Sequence, residues 1–196
     1  MGARSSPSKE KKTNKNVFQI NSIFLSPDAR SVMSIAASFT TIFFATMPDN
    51  NNRRVNYALA GIVTEQLQLL PELIVEDKPV TLNAGLNFGI DSTQLLLKVL
   101  FKIVYLQEET PFITIETGCI FAIDPESWAL FTNLEAGLFV LPKNFAGHLA
   151  QLTAGTARGV LHQSTLNTPL NRFFIPANNI EEMIQENVSL PLDPQN

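Results

Sequence analysis

One cysteine, one tryptophan, two tyrosines and two histidines occur in 196 residues, and each scarcity removes a class of explanation. A single thiol, Cys119, excludes an intramolecular disulfide framework. Its neighbours Gly118, Ile120 and Phe121 predict a buried, inert side chain. His148 and His162 lie 14 residues apart on one predicted helix. At 1.5 Å per residue that is about 21 Å, too far to share a metal or a proton. Charged residues make up only 16% of the chain. No apolar run approaches the roughly 20 residues that span a bilayer. The nearest, Ile35 to Met47, is broken by Ser38, Thr40 and Thr41. The first residues lack the apolar core of a signal peptide, so the expectation is a soluble cytoplasmic protein with no stable membrane insertion.

Catalytic signatures are equally scarce. There is no phosphate-binding glycine loop, nucleophile elbow or metal-ligand spacing. Ala154-Gly155-Thr156-Ala157-Arg158-Gly159 has two glycines, but falls inside a helical stretch and cannot cradle phosphate. The pairs Glu108-Glu109 and Glu181-Glu182 read as solvated charge in a turn and a helix. The sequence therefore predicts a protein that is not an enzyme and that uses no cofactor and no metal.

What is abundant is apolar: 45% of residues are hydrophobic, and fourteen are Phe. That suffices for a core, and Phe either fills one or lines a sticky surface. Charge is unevenly spread. Residues 1–15 carry Arg4, Lys9, Lys11, Lys12 and Lys15 against Glu10, a local +4, so the rest of a chain of net charge -4 must be -8. An acidic body argues against nucleic acid, whose phosphates need clustered Lys and Arg. The basic arm lacks apolar periodicity and is read as disordered. Its Met1-Gly2-Ala3-Arg4-Ser5-Ser6 start also fits the N-myristoylation pattern, with a solubilising arm as the plainer reading.

From residue 16 to 188 the chain reads as one α+β domain, with a tail over 189–196. Val17 to Leu25 is short and rich in β-formers, hence a strand. Between 27 and 79 the signals conflict. Ile35, Phe39, Ile42 and Phe43 make a helical stripe, while Ile35, Ala37, Phe39, Thr41 and Phe43 alternate; only the turn Pro48–Asn52 is plain. Leu82, Ala84, Leu86, Phe88 and Ile90 alternate with polar or glycine positions, the mark of a half-buried strand. Leu95 to Tyr105 and Phe112 to Ile123 repeat that period, and tight turns at Asp91-Ser92 and Gln107–Pro111 join all three into an antiparallel meander. Pro142 to His162 then reads as a helix with one stripe of Phe145, Leu149, Leu152, Thr156 and Val160, and another of Ala146, Ala150, Ala154 and Ala157. So many small residues imply close packing against another element or another chain. A Pro-punctuated extended stretch, 163–176, leads to a short acidic helix at Asn179–Asn187. The expected architecture is an antiparallel sheet of about four strands followed by a long helix and a short C-terminal one.

Glu109-Thr110-Pro111-Phe112 followed by Gly118-Cys119-Ile120-Phe121-Ala122-Ile123 resembles the hairpin and last strand of the SecB export chaperones. The helix start at Leu141-Pro142, the Ala157-Arg158-Gly159 near its end, Leu166-Asn167-Thr168-Pro169 and Ile175-Pro176-Ala177-Asn178 follow the same plan. The resemblance covers about residues 80–188, with Val17–Leu25 matched to the family's first strand and 27–79 without a counterpart. It implies a homo-oligomer, a dimer or tetramer, with Ala146, Ala150, Ala154 and Ala157 between subunits. It implies apolar grooves for unfolded or precursor polypeptides, with Phe18, Phe24, Phe88, Phe112 and Phe121 as candidates. It also implies docking of a SecA-type export motor at Glu108 and Glu109. Excess Phe suits such binding, because it offers area without a polar partner to satisfy. The function expected from these residues is a chaperone that holds polypeptides for export. The alternative is a dedicated scaffold or single-client, antitoxin-type SecB-like binder.

Overall fold

A computed structural model of the chain describes residues 44–48, 54–177 and 180–192, and residues 17–22 for their backbone. The expected basic arm, Phe24, the Ile35–Phe43 part of the ambiguous stretch and the turn residues after Pro48 lie outside the described residues.

The architecture is α+β. Among the described residues six strands form the main sheet: β1 (Val17–Ser22), β2 (Ala45–Pro48), β3 (Arg54–Leu69), β4 (Val80–Asp91), β5 (Leu96–Gln107) and β6 (Thr110–Ile123), in the order β1-β4-β5-β6-β3-β2. All neighbours are antiparallel except β1, which runs parallel to β4. The meander β4-β5-β6 is the one that alternation predicts, in register. Leu86, Phe101 and Thr117 stand abreast, as do Phe88, Val99 and Cys119, and Ile90, Leu97 and Phe121. Each of these inward side chains is buried. The helices fall to that face because a sheet with one apolar side must cover it.

The residues flanking the meander take the places the resemblance left open. Of the expected strand Val17–Leu25, residues Val17–Ser22 form β1, at the margin of the sheet and parallel to β4. The neighbour of β6 is β3, from within the stretch 27–79 that has no counterpart in the resemblance. Strands β3 to β6 thus form a Greek key, with β3 crossing the sheet's end to reach β4. Gln107 fastens that crossing. Its buried amide donates to the Val75 and Lys78 carbonyls at 2.8 and 3.2 Å and accepts from the Val75 N–H at 2.9 Å.

After the sheet comes a short helix, α1 (Pro125–Phe131). Asp124 caps it by accepting from the Glu126 and Ser127 N–H groups, and Pro125 opens it with φ already helical. A small second sheet follows, β7 (Thr132–Asn133), β8 (Leu138–Leu141) and β9 (Val188–Pro191). That last strand, four residues long, lies across the expected tail boundary at 189. The long helix α2 (Lys143–Thr165) begins after Pro142 and lies on β5 and β6. Its first N–H, from Lys143, donates to the Asn187 side chain at 3.0 Å. The short C-terminal helix is a single 3-10 turn, Ile180–Met183, laid on α2.

Candidate functional site

The alanine stripe of α2 faces inward. Ala146, Ala150, Ala154 and Ala157 are all fully buried, so these residues let the helix backbone approach the chain's own sheet rather than a second subunit. That corrects the expected oligomer interface. The stripe belongs to the core: it is buried on the same helix as Phe145, Leu149 and Leu161, and that helix packs on β5 and β6, which carry Phe101 and Phe121. Gly147 makes the same point on the flank, where an added Cβ would lie 3.2 Å from the Glu181 Cα and 3.0 Å from its Cγ.

Three of the five groove candidates are core residues. Phe88, Phe112 and Phe121 are each at most 1% exposed. Phe88 and Phe121 occupy inward register positions on the covered face of the sheet. Phe112 sits where the β5–β6 register shifts, with its ring on Tyr105 and Phe173 at 6.3 and 5.0 Å between centroids. Phe18 pairs with Ala84 through the backbone of β1, and Phe24 is outside the described residues. Sequence alternation places a side chain on a face; it does not say which face stays open.

Glu108 and Glu109 form the two-residue turn between β5 and β6, and both are exposed. Glu108 has φ +57° and pairs with Lys78 at 2.9 Å. With Lys78 beside it, the turn presents one net negative charge rather than two. His148 meets the Tyr57 hydroxyl at 2.5 Å through Nε2, while His162 is exposed farther along the same helix. Burial raises the Tyr57 pKa, which keeps the phenol neutral. Among the described residues no cluster of His, Cys, Asp and Glu has the arrangement to hold a metal, and no helix is long and apolar enough to cross a membrane.

Exposed apolar side chains gather elsewhere. Among the described residues the outer edge of β3 is paired only at Arg54–Tyr57, by β2. Beyond it the strand runs to Leu69 with Leu59, Ile62 and Leu67 each about half exposed, at 54, 53 and 45%. Two irregularities, at Leu59/Gly61 and Thr64/Gln66, interrupt its pairing with β6. A second apolar feature lies where the end of α2 meets the strap 171–175. A pocket of about 210 Å³ is lined there by Leu161, Phe173, Phe174 and Ile175, with Arg158, His162 and Asn171. The strap is pinned from two sides. The Tyr105 hydroxyl donates to the Phe174 carbonyl at 2.6 Å, and Arg158 donates to the Ile175 and Pro176 carbonyls at 3.3 and 2.8 Å. Phe174 itself is 68% exposed. The sequence signal for this site was the run Phe173-Phe174-Ile175-Pro176, adjacent aromatics in an extended segment that cannot all point inward.

No family model matches the chain, and no curated protein does. Among solved structures, a Mycobacterium tuberculosis SecB-like chaperone in complex with a ChAD peptide from the HigA1 antitoxin is similar at 10% identity and a TM-score of 0.36. The likeness covers 77% of this chain and 99% of that one. It is too loose to carry a site from one protein to the other.

Proposed function

We propose that this chain is a cytoplasmic polypeptide-binding protein that holds one defined partner and performs no chemistry on it. The observation that supports this reading is the distribution of exposed apolar side chains. They line the edge of β3 that is unpaired among the described residues, at Leu59, Ile62 and Leu67, whereas Phe88, Phe112 and Phe121 are enclosed. An open strand edge offers backbone donors and acceptors to an extended segment, and alternate side chains beside it supply selectivity. The two interruptions in β3 restrict which register an added strand can take. A restricted edge with a limited apolar surface suits a dedicated partner better than a range of unrelated unfolded clients.

The experiment is one of breadth. At stoichiometric amounts the protein is expected to leave the aggregation of several unrelated unfolded proteins unslowed, yet to capture one partner in a pull-down whose binding survives in purified form. Retarded aggregation of most of those test proteins would return the chain to a general holding chaperone. Docking of an export motor at Glu108 and Glu109 has weaker support, because Lys78 already compensates one of the two carboxylates.

A further inference from the structure

We infer that the pocket between the end of α2 and the strap 171–175 anchors one large apolar side chain of the bound polypeptide and selects an acidic residue beside it; this rests on the polypeptide-binding reading above. Size decides the first half. At about 210 Å³ the pocket is smaller than the roughly 300–1,000 Å³ of small-molecule and cofactor sites. Its apolar walls, Leu161, Phe173, Phe174 and Ile175, suit a single buried side chain of the kind that anchors protein interfaces.

Charge decides the second half. The lining contains Arg158, His162 and Asn171 and no carboxylate. The Arg158 guanidinium is held by the Ile175 and Pro176 carbonyls, so its positive charge is fixed in the wall before any ligand arrives. Arg172 adds a second cation, its Cζ 5.3 Å from the Phe173 ring centroid. The Asn171 Nδ2 is buried there without an acceptor, and a buried donor gains from any acceptor brought to it. At the end of α2 the Thr165 carbonyl is already occupied, accepting from both the N–H and the hydroxyl of Thr168 at 3.0 and 2.7 Å. In a chain of net charge -4 this is a local positive site over an apolar floor. A segment carrying Lys or Arg next to its anchor would meet like charge.

Three fluorescein-labelled peptides of one length test this by anisotropy: Leu-Phe flanked by Glu, the same flanked by Lys, and the Glu form with Ser-Ser in place of Leu-Phe. The first is expected to bind at least tenfold more tightly than either other. Phe174→Ser should weaken it tenfold, and Arg172→Glu with His162→Gln should abolish the preference for Glu over Lys; these three side chains are solvent-facing or on the pocket rim, and circular dichroism confirms that the variants fold. Equal or reversed affinities for the Glu and Lys peptides, or a preference that survives both variants, would overturn the pocket while unfolded polypeptide still bound the wild type. If neither the peptides nor any unfolded polypeptide bound, the pocket and the polypeptide-binding reading would fall together.

Discussion

Tyr105 ties three parts of the molecule with one side chain. Its ring packs on Phe112 and Phe173, and its hydroxyl reaches the Phe174 carbonyl. Burial pushes its pKa up to about 12 from the usual 10.0. The unfolded chain therefore releases this proton first as pH rises. Stability from the neutral phenol is intact below pH 10 and lost as pH rises toward 12, by roughly 3 kcal/mol at most. Urea midpoints measured from pH 8 to 12 should fall across that window, with Tyr57 adding in the same direction. Tyr105→Phe should flatten the fall and lower the plateau by about 1 kcal/mol, the worth of one hydrogen bond. An unchanged slope would show that the hydroxyl is not the titrating group.

Within α2, glycine has two different meanings. Gly155 and Gly159 are exposed, with nothing within 4 Å of an added Cβ. Gly155→Ala and Gly159→Ala should each stabilise the chain by about 0.5–1 kcal/mol, since alanine costs less than glycine in a helix interior. Gly147→Ala has the same helical advantage but meets the Glu181 backbone, so it should destabilise. Thermal melts of the three variants separate the cases. Loss of stability at Gly155 in a self-associated sample would show instead that a second helix lies on that face. The buried stripe gives the complementary test. Ala150→Glu should unfold the domain, costing more than about 3 kcal/mol, because it places an unpaired charge beneath the sheet.

For the molecule as a whole, the surface to test is the edge of β3. Ile62 is exposed and β3 is a long strand, so Ile62→Lys should change stability by no more than about 0.5 kcal/mol. A charge on an edge strand opposes pairing with another chain. The variant is therefore expected to lose partner affinity at least tenfold and, if a second copy uses the same edge, to scatter light as a monomer where the wild type does not. Full affinity retained in Ile62→Lys would move the binding surface away from β3 altogether.

Strict period-2 alternation made β4, β5 and β6 legible from the residues alone, because their pairing keeps one register from Leu96 to Tyr105 and shifts only beside the turn, at Phe112. The long helix was equally legible from its apolar and small-residue stripes. Residues 54–69 were not, although they form the longest strand, and the reason is local. Each of the two bulges in β3 slips the alternation by one residue, so no single face can be counted along it. The short helix at Pro125 carried a readable start in Asp124-Pro125-Glu126 that alternation-based reading passed over. What the residues could not decide was direction. Phe88, Phe112 and Phe121 had the chemistry of either a core or a groove, and Ala146, Ala150, Ala154 and Ala157 that of either a sheet contact or a subunit contact. Side-chain type and spacing determine that a face is apolar or shallow. Only the folding of α2 onto β5 and β6, by residues distant in the chain, decided that those faces meet each other and left Leu59, Ile62, Leu67 and Phe174 in solvent.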